Sequence, residues 1–165
     1  MIWPRRRFVL SALLGVVWAR AALSHRGHQT MSLVDIGVQG EVRITHTLIA
    51  HDTEPELLQL APAAAPTVDD ADALHALLVH LSDAFRVNGA RGTYLSHELG
   101  PDVLTFVYQT KIAVPANAAP LSITIAHSLF PASHTALVGF VNVRYRGVTK
   151  GLQFLRGTAP QTVTF

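Results

Sequence analysis

The residues of this chain best suited to chemistry are the histidines His25 and His28, in the run Ser24-His25-Arg26-Gly27-His28. If the chain is cut before His25, the freed α-amine and the imidazole of that residue can chelate one ion together. An α-amine titrates near ~8, so part of it is unprotonated at neutral pH. A further imidazole completes a nitrogen set that suits Cu(II). His28 is close in sequence. His46 is the other candidate, because it falls on the apolar face of a strand, where an imidazole needs a partner. His127 shares that property. The metal set read from the sequence is therefore His25, His28 and His46, with copper as the cofactor. The competing reading makes His46 and His127 satisfied core or rim residues and gives the N-terminal residues no ligand.

Hydrolysis is the remote alternative. Ser96-His97-Glu98 and Ser133-His134 place hydroxyls beside imidazoles. Adjacent strand residues point to opposite faces, so neither pair is a nucleophile and its base. There is no Gly-x-Ser-x-Gly elbow and no His-Glu-x-x-His helix. Asp69, Asp70 and Asp72 fall at the start of a helix, where the macrodipole accounts for them. His75 and His80 flank a helical stripe and read as half-exposed. No catalytic residue is assigned. The chain has no cysteine, which excludes thiolate metal sites and cysteine nucleophiles.

Residues 1–24 have the order of an export signal. Arg5, Arg6 and Arg7 form a basic head, Phe8 to Trp18 is apolar, and small residues follow. The apolar run is shorter than the ~20 residues of a membrane span. Two cuts obey the small-x-small rule, before Ala22 and before His25, and the second is favoured. Arg5-Arg6-x-Phe8-Val9 also fits a twin-arginine address. Four of the thirteen basic residues lie in residues 1–24, so residues 25–165 carry nine basic against eleven acidic, formally −2. That balance argues against a nucleic-acid partner. No second apolar span follows, so the part after the signal is expected to be free of the membrane. All nine histidines lie in residues 25–165.

Those residues read as one domain. Val42, Ile44, His46, Leu48 and Ala50 alternate with polar residues, as in a half-buried strand. Thr53-Glu54-Pro55-Glu56 reads as a capping box that opens a short helix to about Leu60. Ala61 to Pro66 reads as a mobile linker. A second helix starts at Thr67 to Asp70 and carries Leu74, Leu77, Leu78, Leu81 and Phe85 on one stripe. Beyond it, Asn88-Gly89 and Arg146-Gly147 mark hairpins, and Gly100-Pro101-Asp102 splits two strands. The pattern predicts a mainly β fold, an immunoglobulin-like β-sandwich of seven or eight strands with two helices between early strands. The alternative is an α+β sheet with both helices on one face.

Several runs are similar to an exported bacterial family, domain of unknown function 6702. They are His25-Arg26-Gly27-His28, Ile44-Thr45-His46 with His51-Asp52 and Glu56-Leu57, and Val87-Asn88-Gly89 with Glu98. Val141-Asn142-Val143, Leu152-Gln153-Phe154 and Thr162-Val163-Thr164-Phe165 complete them. The resemblance implies an exported β-sandwich and supplies no activity. An exported sandwich without a catalytic motif works by contact, through loops or by strand addition at an edge such as Gln161 to Phe165. The leading expectation is a non-enzymatic binding or accessory module of the cell envelope, periplasmic or secreted, with a protein partner. A copper-binding protein is the alternative.

Overall fold

The computed structural model describes residues 28–115, 119–130 and 137–165. The expected leader, both cut points and His25 lie outside the described residues, as do Ser133 and His134.

The strands β1 (Gln29–Ile36) and β2 (Glu41–Ile49) form an antiparallel pair. Val42, Ile44, His46 and Leu48 are all buried, as their alternation requires. The helix α1 (Ala50–Leu60) follows β2 without a gap. Its start differs from the capping box expected at Thr53. Ile49 is the N-cap residue and makes no side-chain cap, while the Thr53 hydroxyl donates back to the Ile49 carbonyl at 2.9 Å. Thr53 is thus already inside the helix, and Pro55 with it. The Ala/Pro linker closes into turns: Ala61 N–H donates to the Leu57 carbonyl and Ala64 N–H to that of Ala61. Both alanines pack against the core.

The second helix, α2 (Ala71–Ala84), is capped by Asp70, whose carboxylate accepts from the N–H groups of Asp72 and Ala73 at 3.0 and 3.1 Å. Leu77 and Leu81 are fully buried, and Leu74 and Leu78 pack at the margin of the same cluster. Phe85 extends that stripe but belongs to the next strand, β3 (Phe85–Val87).

The rest of the chain is β. A short hairpin joins β3 to β4 (Ala90–Arg91), with Asn88 at φ 50 and Gly89 at φ 79. There follow β5 (Thr93–Leu99), β6 (Val103–Lys111), β7 (Ser122–His127), β8 (Val138–Tyr145), β9 (Val148–Phe154) and β10 (Gln161–Thr164). The strands divide into a six-stranded sheet, ordered β5-β6-β2-β1-β8-β9, and a four-stranded sheet, ordered β10-β7-β3-β4. One apolar cluster joins the two sheets and both helices. The fold is therefore a mainly β sandwich with two helices inserted after β2. Among the described residues, ten strands stand where seven or eight were expected. The added pair is β3 and β4, of three and two residues, too short to show an alternation.

Candidate functional site

Pairing places His28 beside the start of α1. Met31 lies opposite Thr47, so the chain just before β1 runs level with the end of β2 and the helix that grows from it. The His28 carbonyl also accepts from the Val138 N–H at 3.1 Å, which ties this end to β8. There the side chain of His28 meets His51 and Asp52, from the first turn of α1. His28 Nδ1 stands 2.5 Å from Asp52 Oδ1, and His51 Nε2 stands 3.0 Å from the same oxygen. An ionised carboxylate only accepts, so each of these ring nitrogens carries the proton. Asp52 is buried, whereas His51 is largely exposed and His28 half-exposed. The two rings are 6.5 Å apart between centroids and tilted by 59°. The three ligand-type atoms lie within 4.8 Å of one another.

His46 stands elsewhere, in the core. Its exposure is 1%, its Nδ1 is 2.8 Å from the Ser32 hydroxyl, and its ring meets Phe85 and Tyr108 edge-on at 4.8 and 5.6 Å. Burial, with a smaller effect from nearby His127, pushes its pKa down to about 3. Of the expected set, then, His28 has moved into company with His51 and Asp52, His46 is a hydrogen-bonded core residue, and His25 lies outside the described residues.

His127 is the second core histidine. Its Nε2 is 3.3 Å from the Thr30 hydroxyl, and its ring stacks on Phe154 at 5.2 Å. Burial lowers its pKa to about 4. Thr30 and Ser32 alternate on the inner face of β1, and each hydroxyl meets one buried histidine. His80 departs from its half-exposed expectation in one respect. Its Nε2 is buried with no hydrogen-bond partner among the described residues, and its ring stacks on Phe130 at 6.0 Å. Burial lowers its pKa, against the opposing charges of Glu56 and Asp83.

The Ser96-His97 pair is split by the sheet. Ser96 lies opposite Val107 and His97 opposite Phe106, so successive side chains take opposite faces. His97 Nδ1 is engaged 2.6 Å from the Tyr94 hydroxyl.

The largest feature that sequence reading missed is the outer face of the six-stranded sheet. Register aligns its outward residues in rows. One row runs Ser96, Val107, Thr45, Leu33, Asn142, Gly151, and the next Glu98, Thr105, Thr47, Met31, Phe140, Gln153. In these two rows only Glu98, at one end, is charged. A third row, Thr93, Gln109, Arg43, Asp35, Arg144, Thr149, gathers the charges. There Arg144 and Asp35 form a two-bonded ion pair at 3.0 and 2.5 Å. Met31 and Phe140 are exposed at 46% and 38%.

The expected edge, β10, lies at the end of its sheet. Its rim is partly taken. Lys150 Nζ donates to the Thr164 carbonyl at 2.5 Å, and Gln161 Nε2 donates to the Gln153 carbonyl at 2.6 Å, so side chains link β9 and β10. Among the described residues, no helix is long and apolar enough to cross a membrane.

No family model matches this chain, and no curated protein matches it.

Proposed function

We propose that this chain is an exported, non-enzymatic β-sandwich that acts by contact, as a binding or accessory module of the cell envelope. The observation that carries this reading is the outer face of the six-stranded sheet. Antiparallel sheets commonly turn one polar face to water, and contiguous exposed apolar side chains on such a face mark interaction sites. Here two rows set Leu33, Met31 and Phe140 among serine, threonine, asparagine and glutamine, with Glu98 at one end as their one charge. Such a face suits a protein partner. The partly covered rim of β10 makes strand addition the weaker mode. The basic, apolar and small-residue order of residues 1–24 supports export to the periplasm or beyond, and the resemblance to domain of unknown function 6702 points the same way.

The test has two arms. N-terminal sequencing of the protein recovered from the envelope should begin at His25, or at Ala22 for the other cut. A photo-reactive side chain at Met31 or Phe140 should give a discrete cross-linked product in living cells, and one at Thr149 should not. Full-length protein retained in the cytosol would end the export reading. Equal labelling from all three positions would end the contact reading.

A further inference from the structure

We propose that His28, His51 and Asp52 form a binding site for a divalent first-row transition ion, held by two imidazole nitrogens and one carboxylate oxygen. This goes beyond the contact function and does not depend on it.

Three observations carry the inference. The first is convergence. His28 Nδ1 and His51 Nε2 both aim at Asp52 Oδ1, from a strand end and a helix start brought together by the β1–β2 register. The second is charge. Asp52 is buried, and its ion-pair partners among the described residues are these two histidines. A buried carboxylate is costly without a cation, and a divalent ion supplies one while displacing both ring protons. The third is access. His51 is 76% exposed at its side chain and His28 44%, so an ion can enter and keep positions open for water or a partner's ligand.

The donor set selects the ion. Two imidazoles and one carboxylate suit zinc, copper, nickel or iron and disfavour calcium and magnesium. Tetrahedral zinc, with bonds of about 2.0–2.1 Å, needs its ligand atoms about 3.4 Å apart. The present spacings are 2.5 and 3.0 Å to the shared oxygen, with all three atoms within 4.8 Å of one another, so binding widens the two nitrogen–oxygen distances.

The site differs from an amine chelate at His25. In the full chain that nitrogen is an amide, and an amide is a poor ligand. The experiment therefore uses the full chain, purified without a polyhistidine tag, and titrates it with Zn(II) by calorimetry. Co(II) spectra report the nitrogen and oxygen donors. The expected result is one ion per chain, with His51→Ala and Asp52→Asn each weakening affinity at least tenfold and His75→Ala leaving it unchanged. His51→Ala removes an exposed side chain, so its fold should survive, and an unchanged melting curve without metal checks that. Asp52→Asn keeps an acceptor for both rings and removes the charge. Zinc affinity unaltered by His51→Ala overturns the site. So does a chain that binds no zinc while Asp52→Asn lowers its melting temperature, because the trio would then only fasten β1 to α1.

Discussion

The imidazole of His127 fills the space in which a side chain on Gly139 would stand. A β-carbon there would lie 3.0 Å from Nδ1 and closer still to Cε1 and Nε2. Gly139 is on β8, beside the opening of β1, and His127 ends β7 in the other sheet. The missing side chain lets a ring from one sheet enter the other, where it stacks on Phe154 and meets Thr30.

Gly139→Ala should therefore destabilise the protein through overpacking, by about 1–3 kcal/mol. In a His127→Ala background the same change should cost much less, because the obstructing ring is gone. Thermal melts of the two single variants and the double variant measure this coupling. Additive costs would show that Gly139 serves its strand for another reason.

The inner face of β2 gives a second expectation. Ile44 and Leu48 are exposed by 1% or less and flank His46. Ile44→Ala and Leu48→Ala should each cost about 2–5 kcal/mol in denaturant unfolding. Midpoints unchanged for both would mean that this face is not core.

The β2 face was legible because period-two alternation over nine residues has one physical solution, a half-buried strand. The turns were legible for a similar reason. Asn88-Gly89 and Arg146-Gly147 take the paired positive φ values that a two-residue hairpin demands. The start of α1 was hidden, because Thr53 has the right type for a cap but sits inside the helix, with its hydroxyl turned back to Ile49. That misplacement also concealed the trio. With the strand alternation read on to Ala50, nothing brought His51 to His28. Only the pairing of Met31 with Thr47, a tertiary fact, sets His28 beside the helix. The rows of the outer face were hidden likewise, since they cross strands far apart in sequence, such as Phe140 beside Met31.

Export through the twin-arginine route predicts that Arg5 and Arg6 act as a pair. Changing both to lysine should block appearance of the protein in the envelope, while the general route would tolerate the change because the positive charge is kept. Cell fractionation reads the outcome. Normal export of the double variant would leave the leader on the general route.

Acid should destabilise this fold through its two core histidines. Burial holds His46 near pKa 3 and His127 near 4, against about 6.5 for a histidine in the unfolded chain. Both rings are therefore neutral in the folded state at neutral pH. Above about pH 6.5 neither state binds these protons, and their contribution to stability is fully present. As pH falls below that value, the unfolded chain takes up protons that the folded core refuses. Stability then drops until the folded rings themselves protonate, near 4 for His127 and near 3 for His46. Each unit of depression is worth about 1.4 kcal/mol, so the loss across this window is several kcal/mol. His80, lowered by burial as well, acts in the same direction. The ordinary carboxylates titrate mainly below about pH 5, so the upper part of the window belongs to the histidines. Urea unfolding followed from about pH 7 to about pH 4.5 should show a falling midpoint, with proton uptake on unfolding. His46→Asn should lower stability at neutral pH and flatten that slope, because one refused proton is gone. A midpoint constant over the same range in the unaltered protein would show that these rings accept protons in the fold and that their burial is less complete than the structure places it.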